Sequence, residues 1–138
     1  MLSLPLVLVV DDDEAARYLS QRLLRRLGLQ AQVSQASNGL EALQQLQADC
    51  LAGHTPPLLV LLDLNMPVMG GFDFLEAFHR LPEACRQATK VVVLSSSEQQ
   101  DEARQARQLA TDFVSKPLTE EVLLRLLTQH MGYCAPAA

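Results

Sequence analysis

The chain has 138 residues, of which 49% are apolar and 20% charged, and its 11 basic and 16 acidic side chains leave a formal net charge of −5. This composition fits one globular domain with its own core and excludes a disordered or collagen-like chain; two complete domains would not fit. The acidic balance argues against nucleic acid as a partner, because phosphate backbones call for clustered Lys and Arg.

Leu6 to Val10 is a short apolar run rich in Val. It reads as a strand buried on both faces, and Asp11, Asp12 and Asp13 follow at its end. Ala16, Leu19, Leu23 and Leu27 then recur at helical spacing, with Arg17, Gln21, Arg22, Arg25 and Arg26 elsewhere on the wheel, up to a stop at Gly28. A short strand is predicted over Ala31 to Ala36. Asn38, with Glu41 three residues on, marks the start of a helix that runs to about Ala48. Asp49 to Pro57 reads as a long loop.

Leu58 to Leu62 repeats the buried-strand pattern and ends at Asp63. Beyond a loop with Pro67, Gly70 and Gly71, Phe74, Leu75 and Phe78 predict a helix that ends before Pro82. Val91 to Leu94 is the next strand, closed by Ser95, Ser96 and Ser97. Ser97 with Gln100 could cap the polar helix that follows, which has Ala103, Ala106, Leu109 and Ala110 to bury. Asp112 to Ser115 is a fifth strand before Lys116-Pro117, and Val122, Leu123, Leu126 and Leu127 form a last helix. The tail from Gly132 to Ala138 is expected to be loose.

Strand and helix thus alternate five times, which implies an α/β fold: a parallel sheet with helices on both sides. The N-terminus lacks the early positive charge and cleavage site of a secretory signal, and no apolar run is long enough to span a membrane; a cytoplasmic location is expected. Cys50, Cys85 and Cys134 are odd in number and widely spaced without a Cys-x-x-Cys, which reads as free thiols rather than a disulfide framework or zinc site. His54, His79 and His130 share no spacing and read as surface residues.

In an open parallel sheet the site lies beyond the carboxyl ends of the strands. Those ends carry Asp11 and Asp12, Asp63, Ser95, and Lys116. Clustered carboxylates repel unless they share a cation, and Mg²⁺ takes oxygen ligands. A carboxylate beside Mg²⁺ and a Lys is suited to accept a phosphoryl group, with a hydroxyl near by to donate to its oxygens. Asp13 is better explained as a charge at a helix N-terminus.

Four segments, Val-Val-Asp-Asp-Asp from Val9, Leu-Asp-Leu-Asn-Met-Pro from Leu62, Val-Leu-Ser from Val93 and Lys-Pro from Lys116, resemble the receiver domain of two-component response regulators. The resemblance covers essentially the whole chain. It implies a flavodoxin-like (βα)5 fold, a doubly wound five-stranded parallel sheet of order 2-1-3-4-5, and one receiver domain over 1–138. By position, Asp63 would be the phosphoacceptor, Asp12 a direct Mg²⁺ ligand, Asp11 a ligand through water, and Asn65 a ligand through its backbone carbonyl. Ser95 would bond a phosphoryl oxygen, Lys116 would pair with the phosphate or Asp63 across a cis Lys116-Pro117 bond, and Phe113 would be the switch aromatic. Ser95 stands for the commoner Thr, and Gly70 for a frequent Asp or Asn. Ser97 falls where the family tunes dephosphorylation. The 49–57 loop resembles that of small stand-alone regulators serving phytochrome-type kinases.

The implied function is a stand-alone response regulator, not an enzyme in the ordinary sense. It would take its phosphoryl group from a sensor histidine kinase or phosphotransfer protein. Arg22, Arg25 and Arg26 read either as a solvated face or as part of the kinase-docking first helix. Output would go to a protein target or a homodimer through the face of the fourth helix, fifth strand and fifth helix. Two rivals use the same residues. A Mg²⁺-dependent aspartyl-phosphate phosphatase would usually have a second acid where Asn65 stands, and a non-phosphorylated interaction module would usually have lost one of the site residues.

Overall fold

The computed structural model describes residues 7–28, 33–54, 57–64, 66–96 and 100–132. Its elements in chain order are β1 (Val7–Val10), α1 (Glu14–Arg26), β2 (Val33–Ala36), α2 (Gly39–Leu51), β3 (Leu59–Asp63), α3 (Gly71–His79), α4 (Glu83–Arg86), β4 (Lys90–Ser95), α5 (Gln100–Arg107), β5 (Asp112–Ser115) and α6 (Glu120–Met131). The five strands form one parallel sheet in the order β2-β1-β3-β4-β5, as the resemblance implied.

The continuous apolar runs are explained by burial on both faces. Leu8, Val10, Val60, Leu62, Val91 and Val93 point to one side, where they meet Ala42, Leu43 and Leu46 of α2 and Phe74, Leu75 and Phe78 of α3. Val7, Val9, Leu59, Leu61, Val92 and Leu94 point to the other, against Leu24 of α1 and Leu123, Leu126 and Leu127 of α6. Each such side chain contributes about 1.5–3 kcal/mol on leaving water, so the central strands anchor the fold. The helix starts follow their sequence signals: Asp13 caps α1 through Ala15 N–H, and Asn38 caps α2 through Glu41 N–H.

Several expectations need correction. Leu19 is 57% exposed, because α1 presents Ser20 and Leu24 to the sheet and rotates Leu19 to the rim. α2 runs past Ala48 to Leu51, which shortens the expected loop. A one-turn helix, α4, was not anticipated, so the expected fourth and fifth helices are α5 and α6. Leu109 and Ala110 lie beyond α5 and pack on the sheet from the connection to β5. His130 is not a surface residue: its side chain is 13% exposed and bonds Asp112. The free-thiol reading fails for Cys50 and Cys85, which form a disulfide with a Cα–Cα distance of 5.5 Å. Their 35-residue separation hides the return of the chain to the same edge, where α4 lies on α2. Asn65, Ser97 and Cys134, Ala31 of the expected second strand, and the tail beyond Gly132 lie outside the described residues. No described helix is long and apolar enough to cross a membrane.

Candidate functional site

A parallel sheet brings all its carboxyl ends to one edge, so residues remote in sequence meet there. Asp11 stands just beyond β1, Asp63 ends β3, Ser95 ends β4 and Lys116 follows β5. Asp11 and Asp63 are each 5% exposed and Ser95 is 2% exposed, while Asp12 faces solvent. One carboxylate oxygen from each of Asp11, Asp12 and Asp63 falls within a set whose members lie within 4.8 Å of one another. The Lys116 ammonium sits 2.8 Å from Asp63 Oδ1 and 3.7 Å from Asp11 Oδ2.

The electrostatics follow from this crowding. Burial is the main influence on Asp11 and raises its pKa, the charges of Asp63 and Asp12 add to it, and the Asp13 N–H bond and Lys116 offset it only in part. Burial alone would lower the Lys116 pKa, but the hydrogen bond and charge of Asp63, followed by Asp11, outweigh it. The lysine is held cationic. An all-oxygen set that strains against its own charge suits a hard divalent cation such as Mg²⁺.

The supporting shell is backbone. Lys116 N–H donates to the Ser95 carbonyl at 2.6 Å, and the Lys116-Pro117 bond is cis as expected. After Asp63 the chain is pinned by Gly71 N–H to Leu64 O at 2.9 Å and by Gly39 N–H to Met69 O at 2.8 Å. Val68 in this loop adopts φ 69°, an uncommon conformation for a β-branched residue. Gly70 precedes α3 with no side-chain cap. Phe113 lies half-buried on β5, opposite Val93, and the Arg107 guanidinium covers its ring at 5.4 Å.

Arg17 was missed from sequence. Its Nη1 donates to the Asp11 carbonyl at 2.6 Å and its Nε to Gln35 Oε1 at 3.1 Å, tying the loop of the acid pair to β2. One signal was available: a cation in the opening turn of a helix opposes the helix dipole, so a specific partner is called for. Beside the acids, Ala16, Leu19, Leu23, Pro117 and Leu118 line an apolar groove of about 310 Å³ that reaches Asp11 and Lys116.

Residues 7–128 match the family model of the response regulator receiver domain. The chain is 37% identical over 123 residues to the autoinducer 1 sensor kinase/phosphatase LuxN of Vibrio campbellii, covering 89% of this chain but 13% of that protein. It is 31% identical over 129 residues to a probable methanogenesis regulatory protein, FilR2, of Methanothrix harundinacea, covering 93% of this chain and 82% of that one. Among solved structures it superposes on the chemotaxis protein CheY4 of Vibrio cholerae with a TM-score of 0.76 and 29% identity, over 94% of this chain and all of that one. A sheet of this order with acids, hydroxyl and lysine at its carboxyl edge, and a family match over nearly all of it, lead to one conclusion: the chain belongs to the response regulator receiver domains, the CheY-like signalling modules of two-component systems.

Proposed function

We propose that the chain is a single-domain phosphoacceptor, with Asp63 as the residue phosphorylated by a sensor histidine kinase or phosphotransfer protein in the cytoplasm. The observation that carries this reading is the 2.8 Å pair of Lys116 with Asp63 beside two further carboxylates. An oxygen of Asp63 attacks phosphorus in line. The phosphorus–nitrogen bond of the donor histidine breaks, and its electron pair returns to the imidazole. Lys116 then leaves the carboxylate to pair with the new phosphoryl oxygens, and the Ser95 hydroxyl donates to another.

Asp12, Asp63 and the carbonyl of Asn65 would hold Mg²⁺ directly and Asp11 through water; when bound, the ion supplies charge neutralisation for the transferring group. Ser95 and Phe113 would pass the phosphorylated state to the face of α5, β5 and α6, for a protein target or a second copy. The groove between α1 and Leu118 would seat the donor's helix next to Lys116. FilR2, of which this chain covers 82%, is a relative of similar length and supports a stand-alone module, whereas LuxN, covered to 13%, carries the matching segment within a much longer protein. LuxN is named a sensor kinase/phosphatase, which supports a kinase as partner.

The test is incubation with Mg²⁺ and acetyl phosphate, followed by intact mass. One added phosphoryl group, absent from Asp63→Asn and from a metal-free sample, is the expected result. No gain in a folded protein that binds Mg²⁺ would overturn the reading in favour of a constitutive binding module. Turnover of an external phosphoester would favour a phosphatase.

A further inference from the structure

The acid cluster occupies the carboxyl edge of the sheet, and the Cys50–Cys85 disulfide the opposite one. Cys50 lies in the last turn of α2, and Cys85 lies in α4, a short helix ahead of the amino end of β4. We propose that this pair is a reversible thiol–disulfide site, with small thiols and disulfides of the glutathione class as its reactants.

Placement supports the proposal in three ways. First, a Cα–Cα distance of 5.5 Å is the spacing a disulfide needs, so the fold holds the two residues where the bond can form. Second, the two residues differ in exposure. Cys85 is 9% exposed, whereas Cys50 is half-buried at the rim beside Leu51, which is 90% exposed. In the proposed exchange the incoming thiolate attacks at the more exposed Cys50, and Cys85 is the leaving group. Third, α4 is short, and the chain after it is tied to the sheet edge by the Thr89 hydroxyl, which donates to the Pro57 carbonyl at 2.7 Å, rather than by α4 itself. The helix is four residues long, Pro82 gives it no side-chain cap, and a single turn is not stable alone. Its contact with α2 is made by the buried Cys85 and the covalent link, while the Arg86 bond to Leu81 O ties it only to the preceding turn.

The reaction balances with two equivalents of a small thiol. The first, as thiolate, attacks Cys50; the Cys50–Cys85 bond breaks, Cys85 leaves as a thiolate and takes a proton, and Cys50 becomes a mixed disulfide. The second attacks the small-molecule sulfur; Cys50 leaves and is protonated, and the small disulfide departs. The protein gains two electrons and two protons, and two small thiols become one disulfide. Oxidised glutathione drives the reverse.

The experiment counts free thiols in denaturant on the full chain, which has three cysteines. After oxidised glutathione and gel filtration, a proteolytic fragment linking Cys50 to Cys85 is expected, with at most one free thiol, because Cys134 can carry a glutathione of its own; after dithiothreitol, three free thiols. Reduction is expected to lower Tm by roughly 5–10 °C, from the entropy of a closed loop of this length in a domain of this size. It is also expected to speed amide exchange over 83–86. Cys50→Ser and Cys85→Ser should each melt like the reduced protein and ignore dithiothreitol. Three thiols after oxidation, a link through Cys134, or an unchanged Tm after verified reduction would overturn the proposal. The count is indifferent to Asp63→Asn, so failure here and failure of the phosphoacceptor reading are told apart.

Discussion

Arg17 donates to the Asp11 carbonyl at 2.6 Å, so a helix side chain fixes the backbone that carries the acid pair. Its Nε holds Gln35 at the same time, a two-partner role that suits the guanidinium fork and not a point charge. Arg17→Ala is expected to destabilise the fold by about 1–2 kcal/mol, the scale of a hydrogen bond to a charged group. Arg17→Lys should recover part of this, because an ammonium reaches one partner. Urea unfolding measures both, and amide exchange over 11–13 should rise in the alanine variant. Equal stability of all three proteins would show the contacts to be idle.

Gly71 allows the chain to fold back under Asp63. A Cβ there would collide with the Asp63 carbonyl and lie 2.9 Å from Leu64 Cα, both backbone atoms with no room to yield. Gly71→Ala is therefore expected to cost about 1–3 kcal/mol or more, although alanine favours helix, and to reduce phosphoryl uptake by displacing Asp63. Gly53, with φ 73° and open space around it, is the contrast: its alanine variant strains only the local turn and should leave uptake unchanged. Thermal unfolding and the intact-mass assay separate the two cases.

Much of this was legible in the sequence. Runs such as Val7–Val10 and Leu59–Leu62 can only be strands covered on both faces, and that alone places Asp11, Asp63, Ser95 and Lys116 at one edge. Periodicity failed where a helix sits at the rim. Leu19 keeps helical spacing yet faces outward, since Ser20, a small polar residue, takes the close position against the sheet. The disulfide was hidden because spacing along the chain carries no information about which helix ends meet. The role of Arg17 was hidden because its partner is a backbone carbonyl, which no residue type announces.

Lys116 is the cation that two buried carboxylates share. With it removed in Lys116→Met, the Asp11 pKa, already raised by burial, rises further. A raised carboxyl pKa costs stability as pH rises from about 4 through the folded value, because the native state then binds more protons than the unfolded one. The variant is expected to be less stable than the parent by about 1–3 kcal/mol at neutral pH, a figure reduced from the fully buried case because the Lys116 side chain is 34% exposed. The gap should close toward pH 4. Mg²⁺ should raise the variant's Tm more than the parent's, since the site has lost a competing cation. A gap independent of pH would mean that Lys116 acts through packing alone.

Asp112, one residue before Phe113, is the second carboxylate whose environment predicts a pH response. Burial pushes it upward, but the His130 bond at 2.9 Å, the Phe113 N–H at 2.7 Å and Arg125 at 3.9 Å outweigh this and hold it below the ordinary value. A depressed carboxyl pKa gives stability that is present above the unfolded value near 4 and is lost as pH falls through the folded one. Asp112→Asn should therefore cost about 1–2 kcal/mol at neutral pH, and the difference from the parent should shrink below about pH 4. His130→Gln should cost less, since the Phe113 N–H and Arg125 still face the carboxylate. Urea unfolding from pH 3 to pH 7 on the three proteins measures this. If the Asn variant stays equally far below the parent at every pH, the charge on Asp112 is not what holds the end of α6 to β5.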